Sequence, residues 1–198
     1  MAVALEFNII SKSLIDLETV MSNSPVNAFN VEVGSVCCID NWIWENPQEM
    51  QSLSLVHTML ETAKIIVINL KCSILKDAGI YIEKNDEEYV YNLWINTEGY
   101  PVLDEDKISP DNEHYFQKIY RIIEELREEQ GIDFRIIGIG FETCFQYERE
   151  NSEVIKKSKN VIAWILSKYM NSNMELSDYR KKDEIGELII FEKDTNKI

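Results

Sequence analysis

The sequence predicts an α+β fold, a single mixed and largely antiparallel sheet with amphipathic helices packed on it. Three stretches carry that prediction. Residues 109–147 read as a long amphipathic helix, one glycine and an extended apolar strand; residues 65–96 read as strands joined by short polar turns; residues 46–63 read as a capped helix between strand-rich stretches. The same elements could also build a doubly wound α/β sheet. The two folds differ in whether the strands separated by the helices at 47–63 and 110–130 run parallel.

The central helix has a complete set of signals. Ser109 suits an N-cap, Pro110 the first helical position, and Asp111 and Glu113 place negative charge at the positive end of the macrodipole. Tyr115, Phe116, Ile119, Ile122, Ile123 and Leu126 recur at spacings of three and four and form one buried stripe, and Gly131 supplies a left-handed stop. In the strand at 134–147, alternation places Ile137, Ile139, Phe141 and Phe145 on one face and Phe134, Ile136, Gly138 and Gly140 on the other. Both faces are apolar, as in an interior strand.

Taken in order, Val3, Leu5, Phe7 and Ile9 alternate as a first strand, and Ser11 or Ser13 caps a short helix with Leu14, Leu17, Val20 and Met21. Residues 31–44 are rich in β-branched and aromatic types around Gly34-Ser35, which predicts two short strands or one bulged strand. Asn46, Pro47 and Glu49 resemble a cap, a first-position proline and a capping-box acid for a helix through Ala63, with Met50, Leu53, Val56, Leu60 and Ala63 buried. Strands follow at 65–70, 80–83 and 88–96, and then a polar connection at 99–108 containing Asp104-Glu105-Asp106. Ser152 opens a predicted helix with Val154, Ile155, Val161, Ile162, Ile165, Leu166 and Tyr169 on one broad face. Residues 170–186 read as a polar loop, 188–191 as a last strand and 193–198 as a frayed tail.

The length of 198 residues suits a single globular domain spanning 1–198. Cys37, Cys38, Cys72 and Cys144 form no C-x-x-C and no secreted framework, so reduced thiols are expected. Residues 1–7 carry no basic leader, and no apolar run approaches the roughly 20 residues that span a bilayer, so the expected location is cytoplasmic with no membrane contact. Twenty basic against 35 acidic residues give a net charge of −15, which repels nucleic acid and attracts a basic protein. The oligomeric state is not legible.

Few motifs carry chemistry. Gly138-Ile139-Gly140-Phe141-Glu142-Thr143 shares two glycines with a phosphate-binding turn but lacks the third and opens no helix, so the expected role is to let a helix or bulge come close to the sheet. His57 and His114 lie on different helices without ligand spacing, and neither a metal nor a nucleotide cofactor is expected. A nucleophilic site would have to be scattered, around Cys144, Glu142 and His114. On a strand, Trp42 and Trp44 would share a side with Asp40 and could anchor a partner, although core packing explains most strand tryptophans. Glu142 stands late on the apolar strand, where the chain is expected to emerge into solvent.

Acidity is concentrated at 83–129, with 14 acidic and 5 basic residues. Glu124, Glu125, Glu128 and Glu129 crowd the C-terminal turns of the central helix, where the macrodipole favours cations and where four-residue spacing sets like charges side by side. A solvated face explains most charge runs, but a rule broken without local compensation also suggests a surface kept for a partner.

Leu93-Trp94-Ile95-Asn96-Thr97-Glu98-Gly99-Tyr100-Pro101-Val102-Leu103-Asp104, the acidic helix and Ile136-Ile137-Gly138-Ile139-Gly140 together resemble the small acidic immunity proteins that bacteria encode beside toxins. The resemblance implies a non-catalytic inhibitor that binds a basic toxin or effector. The expected contact residues are Glu124, Glu125, Glu128, Glu129, Asp104, Glu105, Asp106, Trp42 and Trp44, with no catalytic set. The alternatives are a small enzyme with the scattered Cys, His and Glu site and a carboxylate surface imitating DNA phosphates.

Overall fold

The amino-terminal strand lies between the hairpin meander and the strand that follows the long helix, and this insertion joins the two halves into one sheet. The computed structural model describes residues 4–17, 20, 31–72, 77–98, 106–169 and 176–194. Its strands are β1 (Ala4–Ser11), β2 (Val31–Ile39), β3 (Gln48–Glu49), β4 (Ile65–Cys72), β5 (Ala78–Asn85), β6 (Glu88–Asn96), β7 (Phe134–Cys144), β8 (Lys159–Ser167), β9 (Tyr179–Ile185) and β10 (Leu188–Lys193). The α-helices are α1 (Val56–Glu61), α2 (Glu113–Gln130) and α3 (Asn151–Lys157). Among the described residues ten strands form an open sheet in the order β3-β2-β4-β5-β6-β1-β7-β8-β10-β9. Each pair of neighbours is antiparallel. The fold is therefore α+β and not doubly wound: β6 and β7, on either side of α2, point the same way but are separated by β1.

The front of the sheet carries α1 and α2. Phe116, Tyr120 and Ile123 of α2 pack on Leu5, Phe7, Ile137, Ile139, Ile165 and Ile190, while Val56 and Leu60 of α1 close a neighbouring core over Ile66, Ile68, Ile82 and Tyr91. On the back, Ile10, Ile136, Trp164 and Leu166 are covered by Val154 of α3 and by Phe145 and Tyr147 before it, and Ile39, Ile65 and Val67 form a smaller cluster with Tyr81. Burial on both sides explains why β7 is buried without interruption from Phe134 to Phe141.

Local signals succeed where the chain is self-sufficient. Helix α2 stops at Gly131 with φ 64, whose N–H donates to the Arg127 carbonyl. It begins later than the predicted Pro110. Ser109 accepts the Glu113 N–H at 2.9 Å through its backbone oxygen, and Asn112 occupies the cap position. Of the two alternatives for residues 31–44, the bulged strand is the one that forms, with a register shift between Val33 and Ser35, and it ends at Ile39.

Four expectations are overturned. No four-turn helix follows Asn46: Gln48 and Glu49 pair with β2, Asn46 adopts φ 46, and helix begins at Val56 after one 3-10 turn, leaving Ala63 exposed. The helix from Ser152 ends at Lys157, and residues 159–167 form β8. Val161 to Leu166 are buried on both faces there, a pattern that a helical stripe also satisfies. Part of the predicted polar loop is β9, an edge strand whose charged side chains face solvent and discourage further pairing. Finally, register shifts at both ends of β7 exchange two side chains: Phe134 joins the front core and Phe145 the back.

Other expectations fall partly outside the described residues. Of the early helix, Met21 is outside, while the Val20 N–H donates to Asp16 at 2.9 Å. Residues 99–105 of the polar connection and 195–198 of the tail are also outside. Lys193 itself ends β10.

Candidate interaction surface

The two sequence-selected tryptophans lie in a turn rather than on a strand. After β2 the chain folds back at Asp40, whose N–H donates to Glu45 O at 3.0 Å, and the Trp44 N–H donates to Asn41 O at 3.0 Å. The Asn41 side-chain oxygen accepts the Ile43 N–H at 3.1 Å, and its amide donates to Glu45 Oε2 at 2.5 Å. Asn46 Nδ2 donates to Asp40 Oδ2 at 2.7 Å, and Lys64 pairs with the other oxygen of that carboxylate. Asn46 and Lys64 together hold the Asp40 carboxyl below its ordinary pKa.

This scaffold holds apolar side chains in water. Trp42, Ile43 and Trp44 are 52%, 78% and 48% exposed. Trp44 adopts φ 60, a left-handed conformation unusual for a bulky residue and found where surrounding contacts over-determine the backbone. The Trp42 ring leans on Tyr81 with centroids 5.3 Å apart, and its Nε1–H donates to Glu83 Oε2 at 3.3 Å. The turn thus presents a fixed apolar tip on the back of the sheet with carboxylates beside it.

The acidic helix faces the other way. On the front, Glu113 of α2 pairs with Lys182 at 2.5 Å, and the carboxylates of Glu124 and Glu128 approach Gly186 in the β9–β10 turn, each 3.1 Å from where a Cβ would stand. Glu125 and Asp106 are exposed. Asp104, Glu105 and the Glu129 side chain lie outside the described residues. The structure therefore does not unite the tryptophans with the helical glutamates in one patch.

A buried cation that the sequence pattern does not single out organises the back. Arg135, 5% exposed, donates from Nη1 to Arg149 O at 2.7 Å and Asn151 Oδ1 at 2.6 Å, and from Nη2 to Glu148 O at 2.8 Å. Its Nε stands 2.8 Å from Glu88 Oε1, an ion pair in which the N–H is not aligned for a hydrogen bond. Tyr147 donates to Asn85 O and Glu88 Oε2, both at 3.2 Å, and Arg149 pairs with Asp86 at 2.8 Å. Burial and the Glu88 charge raise the Tyr147 pKa. These contacts clasp residues 147–151 to the β5–β6 hairpin beside an open concavity of about 450 Å³ lined by Asp86, Glu87, Glu88, Tyr147 and Arg149. The available signal was a lone arginine in the otherwise apolar run at 134–141.

Each group considered for catalysis has its own surroundings. Cys144 is exposed at the end of β7, Glu142 is exposed at φ 45, and the His114 ring lies against Tyr115. His57 pairs with Glu61 at 3.6 Å. Gly140 stands at a register shift between β7 and β8, the bulge its glycine allowed, and a Cβ there would stand 2.1 Å from Asn160 O. Among the described residues no three His, Cys, Asp or Glu side chains gather as metal ligands, and no helix is long and apolar enough to cross a membrane. In comparison with known proteins, the chain matches no family model, no curated protein and no solved structure.

Proposed function

We propose that this chain is a non-catalytic binding protein, an immunity-type inhibitor that holds a basic toxin or effector through the turn bearing Trp42, Ile43 and Trp44. The observation that carries the reading is that turn: three consecutive large apolar side chains are exposed at its tip while its polar residues are bonded to one another. A preformed aromatic anchor loses little freedom on binding, and truncating such a residue typically costs a complex about 2 kcal/mol or more. The net charge of −15 selects for a basic partner and speeds its approach. The inhibitor role rests on the resemblance of residues 93–140 to immunity proteins.

The test is calorimetry with the protein encoded beside this chain, together with growth rescue on co-expression. Changing Trp42, Ile43 and Trp44 together to Ala should weaken binding at least about thirtyfold, with the thermal midpoint close to wild type. Equal affinity for the altered and unaltered chains would remove the turn from the interface. Failure of the neighbouring product to bind or to be neutralised would overturn the inhibitor reading.

A further inference from the structure

Two glycines on the back of the sheet each lie beneath a tryptophan. A Cβ on Gly138 would stand 2.8 Å from the Trp164 indole, and a Cβ on Gly79 would stand 2.8 Å from three indole atoms of Trp94. Trp164 is fully buried, with Phe145 at 6.2 Å and Tyr179 at 6.5 Å from its ring. Trp94 lies across its glycine in the same manner, yet part of its surface remains in solvent. The arrangement leaves an aromatic platform open on the sheet.

The surroundings of that platform are acidic. Glu6 is the cross-strand partner of Trp94, so both side chains rise from the same face at adjacent positions. The Glu6 carboxylate accepts the Thr143 N–H at 2.9 Å and also the Thr143 hydroxyl. That hydroxyl accepts from Asn8 at 2.6 Å, and Asn8 accepts from Asn92 at 2.7 Å, so a directed chain of donors ends on Glu6. On β5, Tyr81 rises from the same face two residues beyond Gly79, in contact with Trp42, and Glu83 follows it as the Trp42 acceptor. Lys71 of β4, on the same face two residues beyond the Asn69 that pairs with Gly79, packs its side chain toward Gly34 of β2.

Resting on the binding role proposed above, we infer that Trp94 with Glu6 is a subsite for an arginine or lysine side chain of the partner, whose extended basic segment runs over Tyr81 to the Trp42 turn. An indole face attracts a cation through its quadrupole, and a neighbouring fixed carboxylate adds charge without having to be reorganised. Glu6, Glu83 and the net charge favour a cationic chain over a neutral sugar, although aromatic platforms of this shape serve both.

Nitrogen-edited NMR on the intact chain reads this directly, because each of the 4 tryptophans contributes one indole N–H resonance and Trp164 is an internal control. Hexa-arginine is the probe, with a neutral chito-oligosaccharide in parallel. The expected result is that the peptide shifts the Trp94 and Trp42 resonances and leaves Trp164 in place. Trp94→Leu, which keeps an apolar cover on Gly79, should weaken the peptide about three- to tenfold, whereas Trp94→Phe retains most of the affinity. An unmoved Trp94 resonance at saturating peptide, wild-type affinity in Trp94→Leu, or a response to the sugar alone would each overturn the inference. Ile43→Ala with Trp44→Ala leaves this subsite intact and should still bind hexa-arginine. Loss of the partner in that variant therefore tests the anchor, and an unmoved Trp94 tests only the subsite.

Discussion

Glu192 shows how much a single carboxylate depends on the side chains folded over it. It is 3% exposed beneath α2, where the Tyr120 hydroxyl donates to it at 3.4 Å and Lys182 stands 3.9 Å away. Burial raises its pKa, and the Lys182 charge opposes that only in part. A carboxyl with a raised folded pKa binds its proton more tightly in the folded state. Its contribution is therefore most favourable below the unfolded pKa and is lost as pH rises through the folded value. Glu192→Gln removes this titration while keeping an acceptor for Tyr120. The variant should be more stable than wild type at neutral pH, with an advantage that shrinks as pH falls into the ordinary glutamate range. Urea midpoints measured from about pH 4 to 8 check this, and a constant difference across the series would refute it.

At the scale of elements, the two glutamates that break the charge rule in α2 lie against a turn remote in sequence. Glu124 and Glu128 oppose the macrodipole, yet both reach the Gly186 turn, where φ is 54. A Cβ on Gly131, at φ 64, would meet nothing within 4 Å, so the two glycines separate backbone strain from contact. Gly131→Ala should cost about 1 kcal/mol from its positive φ alone. Gly186→Ala should cost more, about 1–2 kcal/mol, because the added methyl also displaces the two carboxylates. Equal losses in urea titrations of the two variants would show that the glutamates are not held against the turn. The same neighbour effect decides strands: β8 and β9 exist because β10 and β7 are there to pair with them.

Across the whole molecule, the apolar turn and the glutamates of α2 occupy opposite faces of the sheet, which assigns them different kinetic roles. Contacts in an interface govern dissociation, whereas charge at a distance governs encounter and is screened by salt. Changing Glu124, Glu125, Glu128 and Glu129 to Gln should leave stability equal or slightly higher. It should also slow association with the basic partner and flatten its salt dependence, with the dissociation rate unchanged. Stopped-flow measurements over a salt series check this. A faster dissociation would place α2 inside the interface, and unchanged association would return the cluster to ordinary surface charge.

What depends on near neighbours was legible in the amino-acid order: the α+β class, the amphipathic stripe and glycine stop of α2, the bulge at Gly34 and the meander at 65–96. Cap chemistry, side-chain periodicity and turn residues act within a few positions, so they survive without distant contacts. The rest had to wait for the folded chain. The insertion of β1 between β6 and β7, the strand state of residues 159–167 and the pairing of Gln48-Glu49 all depend on partners far away in sequence. A continuous apolar run fits a buried strand and a buried helix equally well until a neighbouring strand supplies its hydrogen bonds. The candidate surface was legible only as residue types. The sequence singles out Trp42 and Trp44, but Lys64 and Asn46 had to meet Asp40 before those rings could be fixed in solvent, and Gly79 had to meet Trp94 before the platform existed.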